Sequence, residues 1–186
     1  MRSVRWVAVG VVATGAAAVG GFMVGPRERP PAPNEGAPRV PPLGELEQWL
    51  RASEARVAPV PGTEKRIVWH LEPGARTPWA LVYVHGFSAS RQELAPVPRR
   101  LADTLGANLF EARLTGHGAG GAALGASTAA DWVHDVREAV EIGRRIGRRV
   151  VLLGCSTGAT LDAYLSAYGV IEPDVHVWIS PNFGPQ

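Results

Sequence analysis

The sequence predicts an α/β protein whose mostly parallel sheet is covered by helices on both faces, and three observations carry that expectation. Strand-like and helix-like stretches alternate along most of the chain. Two of the strand-like runs, Trp79–Val84 and Val150–Leu153, contain no charge, as strands buried on both faces do. The helical stretches between strands are long enough to make the right-handed crossovers that join parallel strands.

The elements follow one another regularly. Leu43, Leu46, Trp49 and Leu50 recur at helical spacing and predict an amphipathic helix over Leu43–Ala55. After the turn signal Pro59-x-Pro61-Gly62, Lys65–Leu71 is rich in Ile, Val and Trp and reads as a strand. Glu72–Pro78 is a turn-rich connection to the strand Trp79–Val84. Glu93–Leu105 has a helical pattern that Gly106 stops. Asn108–Ala112 is a short strand, and Leu114–Ala126 reads as a Gly/Ala-rich loop. Ser127 or Thr128 caps a helix reaching about Ile146, with Trp132, Val136, Val140 and Ile142 among its apolar positions and Gly147 at its end. Val150–Leu153 is a strand, Gly158–Ala167 a helix and Val175–Ile179 a last strand. No internal repeat is present.

At 186 residues the chain suits one globular domain plus an accessory segment, and it is long enough to bury a core without a disulfide or structural metal. Of its 19 basic residues 18 are Arg, scattered and not interleaved with aromatics, so no nucleic-acid partner is expected. The single cysteine, Cys155, excludes an internal disulfide and a Cys-based zinc site. Residues 1–25 form the accessory segment. Two arginines precede Trp6–Gly25, an uncharged and mostly apolar run of 20 residues, the length of a membrane-spanning helix. Basic residues before such a run hold that end in the cytoplasm, which places the rest of the chain outside it, periplasmic or extracellular. Ala16-Ala17-Ala18 also fits a signal-peptide cleavage site, so membrane anchor and cleaved secretory signal both stay open. Residues 26–42 are proline-rich with almost no large apolar side chain and read as an extended linker. The folded domain is expected over 43–186.

Gly154-Cys155-Ser156-Thr157-Gly158 is a G-x-S-x-G sequence lying between a predicted strand and a predicted helix. That context is what the motif requires. A tight strand-to-helix turn pushes the serine hydroxyl above the sheet, glycines leave room for the neighbouring backbone, and the helix N-terminus favours developing negative charge. Ser156 is therefore the candidate nucleophile, with Gly154 and Gly158 supporting the turn. Cys155, beside it, would point away from the reacting atoms. A second motif, His85-Gly86-Phe87-Ser88-Ala89-Ser90, directly follows the strand Trp79–Val84.

With these two motifs the chain resembles the α/β-hydrolase superfamily, and most closely its lysophospholipase, monoacylglycerol-lipase and serine-aminopeptidase-like branch. The resemblance covers Leu43 to Pro181. It implies that the His85-Gly86-Phe87 turn helps form the oxyanion hole, with the Phe87 and Thr157 N–H groups as donors. Gly116-His117-Gly118 also resembles this branch, and His117 is read as structural, bonding loop backbone at the pocket rim. The implied activity is hydrolysis of a carboxylic ester, less favourably an amide, on a small-molecule ester or lipid, with no cofactor and no metal.

The family order is nucleophile, acid, histidine. Only 30 residues follow Ser156, among them Asp162, Glu172, Asp174 and His176. Asp174 and His176 fall at the start of the last strand, about 16 Å from its far end, whereas a base must come within about 3 Å of the hydroxyl. Asp162 falls in the helix after the elbow. None is expected to serve. The resemblance thus implies an incomplete, C-terminally truncated hydrolase domain lacking the lid and last strands, with Val175–Ile179 left as an edge. The alternative is a catalytically inactive, membrane-tethered binding or interaction domain that retains the fold.

Overall fold

The computed structural model describes residues 32–33 and 36–183. The predicted anchor or signal over 1–25 and part of the linker lie outside the described residues. Among those described, no helix is long and apolar enough to cross a membrane.

The chain runs α1 (Leu43–Val57), β1 (Arg66–Val68), β2 (Thr77–Val84), α2 (Val97–Leu105), β3 (Asn108–Glu111), α3 (Gly121–Ala126), α4 (Ala129–Ile146), β4 (Gly147–Cys155), α5 (Thr157–Ala167) and β5 (Val175–Ile179). The sheet order is β1-β3-β2-β4-β5. β1 pairs antiparallel with β3, and every other pairing is parallel. Alternation along β2 and β4 divides the core in two. Ala80, Val82, Val84, Val150 and Leu152 face α1, α4 and α5, while Leu81, Tyr83, Val151, Leu153 and Cys155 face α2. β2 carries no charge and β4 none beyond Arg148 and Arg149 near its exposed start, because from Ala80 and Val150 onward both faces are buried.

Local chemistry explains most boundaries. α4 begins at Thr128, not Ser127, because Thr128 makes a reciprocal capping box. Its hydroxyl accepts from Asp131 N at 3.2 Å, and the Asp131 carboxylate accepts from Thr128 N at 2.9 Å. α2 starts at Val97, four residues later than the expected Glu93, since Pro96 and Pro98 cannot sit inside a helix but fit its first turn. β1 is three residues long where seven were expected, because it has partners only along Leu109–Glu111. The predicted loop over Leu114–Ala126 contains α3, whose Gly/Ala composition carries no periodicity. β5 has the predicted bounds.

Buried charges fasten α1 to this sheet. The Arg113 guanidinium donates to both oxygens of Glu54 at 2.8 and 2.7 Å, and Glu54 also accepts Lys65 N at 3.0 Å. The Lys65 ammonium bonds Glu138 of α4 at 2.8 Å. Both partners of the Arg113–Glu54 pair are buried, so removing either one would strand the other.

The topology places the site. β3 returns on one side of β2 and β4 on the other, so the chain reverses direction across the sheet between β2 and β4. In open α/β sheets the crevice beyond the carboxyl ends of strands at such a point is where ligands bind. The segments leaving it are His85–Ser90 after β2 and Ser156 after β4.

Candidate active site

Register brings the two motifs together. Val84 pairs with Gly154, so the turns after both strands emerge side by side. A Cβ built on Gly86 would lie 3.2 Å from Ser156 Cβ, so the first motif reaches the serine itself.

Ser156 occupies a left-handed backbone conformation, φ 47 and ψ −111, which a non-glycine residue adopts only when its surroundings impose it. Its N–H donates to Ile179 O at 2.8 Å, and its carbonyl accepts from Thr160 N at 3.0 Å in the first turn of α5. The elbow is thus held on one side by β5 and on the other by the helix. Gly158 is required because a side chain there would drive into the Val84 carbonyl group, and a Cβ on Gly154 would meet the backbone of Gly158 and Ala159. Thr157 is the first residue of α5, where helical N–H groups have no intrahelical partner.

Several backbone groups of the loop after β2 are bonded within the protein. Gly86 N donates to Glu93 Oε2 at 2.9 Å, Ser88 N to His117 Nε2 at 3.0 Å, and Ala89 N to Gly86 O at 3.3 Å. Among the described residues the Phe87 N–H has no protein acceptor. The Phe87 side chain is largely exposed, and its ring packs edge-on against His117 and Trp132 at 6.0 and 5.9 Å.

The two histidines here are neutral and structural in their bonding. His85 is fully buried; its Nε2 accepts from Leu114 N at 3.2 Å, so Nδ1 is the nitrogen that donates to Gly86 O at 2.8 Å. Burial pushes its pKa down to about 4 against the pull of that carbonyl. His117 accepts from Ser88 N through Nε2, leaving Nδ1 to donate to Thr115 O at 3.2 Å, and burial lowers its pKa as well. With both ring nitrogens of each histidine engaged by backbone, neither has a lone pair left for a serine proton.

Sequence reasoning missed Glu93, which falls inside the expected helix but lies in the turns before α2. Its Oε2 also accepts the Tyr83 hydroxyl at 3.1 Å. Its Oε1 lies 2.8 Å from the point that a Gly86 Cβ would occupy, so the carboxylate and Ser156 flank Gly86. A signal was available: Glu93 stands three residues before Pro96, where a helix reading is unsafe.

Cys155 is ruled out as a nucleophile. It is buried on the α2 face, and burial, with the Glu93 carboxylate nearby, pushes its thiol pKa up to about 11. At pH 8 about 0.1% would be thiolate, so iodoacetamide should alkylate it at least roughly a hundredfold more slowly than free cysteine. Glu93→Gln removes a negative charge and should lower that pKa. Alkylation of the folded chain at the free-cysteine rate, followed by mass spectrometry, would contradict the assignment.

The structure separates the remaining candidates from the serine. Asp174 accepts Val150 N at 2.7 Å, near the start of β4 and away from the elbow. His176 pairs with Leu152, four residues before Ser156, or about 13 Å along the strand. Its carboxylate partner is Asp162, fully buried in α5, which accepts from His176 Nδ1 at 2.9 Å, Trp178 Nε1 at 2.7 Å and Ser166 Oγ at 3.1 Å. Glu172 lies exposed before β5. Among the described residues no side chain hydrogen-bonds the Ser156 hydroxyl, and no group of His, Cys, Asp and Glu is placed to hold a metal.

No protein-family model matches the chain, and no curated protein matches its sequence. Among solved structures it is similar to a metagenome-derived lipolytic enzyme, with a TM-score of 0.57 and 24% identity over 66% of this chain and 47% of that one. Looser overlaps are with an esterase of Pyrobaculum calidifontis (TM-score 0.43, 17% identity, 70% of this chain and 48% of that one) and with an inhibitor-bound esterase B of Lactobacillus rhamnosis (0.35, 16%, 75% and 58%). The chain spans about half the length of the solved enzymes it matches. Sheet order, parallel pairing, helices on both faces and the overlap with the first of these structures show that the protein has the α/β-hydrolase fold.

Proposed function

We propose that the protein belongs to a serine hydrolase of carboxylic esters, in the lysophospholipase and monoacylglycerol-lipase branch, with Ser156 as nucleophile. The observation that carries this reading is the strained Ser156 elbow set against a loop whose Phe87 N–H has no protein acceptor. In the reaction Ser156 Oγ would bond to the ester carbonyl carbon while its proton passes to water. The Phe87 and Thr157 N–H groups would stabilise the oxyanion, and the alcohol would leave carrying a proton. Water would then cleave the acyl-serine to release the acid and restore the hydroxyl. A fluorophosphonate probe tests the nucleophile directly: Ser156 Oγ would form an Oγ–P bond as fluoride leaves and the hydroxyl proton passes to solvent.

A second reading, a non-catalytic binding domain on the same fold, is favoured by one observation: no described histidine bonds the Ser156 hydroxyl. A folded chain that resists the probe would select it. For both readings we propose that residues 6–25 tether the exported domain to a membrane, a cleaved secretory signal being the alternative. The full chain should therefore sediment with membranes and resist a carbonate wash, whereas a chain beginning at residue 26 should stay in the supernatant. Equal partitioning of the two would remove the tether.

A further inference from the structure

Glu93 is the acidic side chain that touches the site without a role in the reading above, and its bonds explain the direction of the donor loop. A trans peptide sets the Phe87 N–H opposite the Gly86 carbonyl. That carbonyl is held by two donors, His85 Nδ1 at 2.8 Å and Ala89 N at 3.3 Å. The preceding peptide is held at its other end by Glu93 Oε2, which takes the Gly86 N–H at 2.9 Å. Gly86 is thus pinned through both of its peptide groups, and of the two N–H groups in those peptides the one on Phe87 has no acceptor among the described residues. A bond from N–H to a carboxylate is roughly twice as strong as one to a neutral acceptor. Glu93 is itself anchored from below: the buried Tyr83 hydroxyl of β2 donates to the same oxygen at 3.1 Å, and the Cys155 thiol of the elbow lies beside the carboxylate. One side chain therefore joins the end of β2, the donor loop and the elbow.

We propose that Glu93 is the positioning residue of the oxyanion loop, its carboxylate fixing the Gly86 peptide so that the Phe87 N–H faces the oxygen that turns negative at Ser156. It rests on the reading of Ser156 as a nucleophile. An opposing role for the same carboxylate, as the base that takes the serine proton, makes a different demand. A base must be ionisable, whereas a positioning residue need only accept a hydrogen bond, and a glutamine oxygen can do that.

The test compares the full chain with Glu93→Ala and Glu93→Gln in two measurements. Fluorophosphonate labelling is followed at several probe concentrations, so that the bond-forming rate separates from probe affinity. Loss of one oxyanion donor costs about 10²–10³ in rate, and misdirection of one costs less. Glu93→Ala should therefore lower the bond-forming rate roughly 10- to 100-fold with little change in affinity, and Glu93→Gln should restore most of it. An alanine variant as fast as the parent overturns the proposal. So does a glutamine variant as slow as alanine, which would make the carboxylate the base. If the parent chain does not label at all, the reading of Ser156 falls, and Glu93 is judged by the amide resonances of Gly86 and Phe87. Both should move in Glu93→Ala and return toward the parent in Glu93→Gln; resonances unmoved in the alanine variant overturn the positioning role.

Discussion

Ser156→Ala should abolish fluorophosphonate labelling of this protein while leaving its thermal unfolding close to that of the parent. The hydroxyl makes no side-chain cap to α5, and the elbow is held through backbone, by Ser156 N to Ile179 O and Thr160 N to Ser156 O. The alanine keeps both bonds and removes only the attacking atom. The parent rate should itself be slow. The described histidines beside the site are neutral with both ring nitrogens bound, and His176 is held by Asp162 four residues down the strand. Without a base, rate enhancement falls to what oxyanion donors and binding supply, about 10³–10⁴ over water. Labelling should thus need long exposure and a reactive probe, and be absent from the alanine variant. Labelling that persists in that variant would place the nucleophile elsewhere.

Gly158→Ala should be among the most damaging alanine substitutions at the described glycines. A Cβ there would lie 2.8 Å from Val84 C and 2.9 Å from His85 O, and closer still to the Val84 carbonyl oxygen. These are backbone atoms at the end of a central strand, with no side chain to swing aside, so α5 or the His85-Gly86 turn has to shift. Overpacking of this kind costs about 1–3 kcal/mol, and the rigid neighbours place the expected loss at the upper end. The displaced turn carries the Phe87 donor, so labelling should fall with stability. Gly125→Ala is the control: it sits in α3 with open space around it, and should leave the urea midpoint unchanged or raise it slightly. Equal midpoints for the two variants would show that the elbow glycine is not needed for close approach.

The relation between sequence and site follows from the range of the interactions involved. G-x-S-x-G is legible because its signal is local: strand, serine and helix are consecutive, although the bond from Ser156 N to Ile179 O that holds the elbow is not. The same holds for β5, a five-residue run of Val, Trp and Ile around His176 shortly after a proline, and for α4, whose capping box spans Thr128 to Asp131. Where local signals conflict, boundaries move. The helical pattern from Glu93 loses to Pro96 and Pro98, and the strand pattern of Lys65–Leu71 loses to the shortness of its partner.

By itself the sequence determined the α/β class, the charge-free central strands, the elbow at Ser156 and the separation of Asp174 and His176 from it. All of these follow from periodicity, turn chemistry and the rise of a strand. Only the tertiary structure decided that His85 and His117 are spent on backbone, that His176 belongs to Asp162, that Glu54 and Arg113 pair across 59 residues, and that Glu93 takes the Gly86 N–H. Those partners meet through strand pairing and helix packing. Hydrogen bonds between residues far apart in the chain have no spacing rule, so their consequences for protonation and donor direction become legible only once the sheet is assembled.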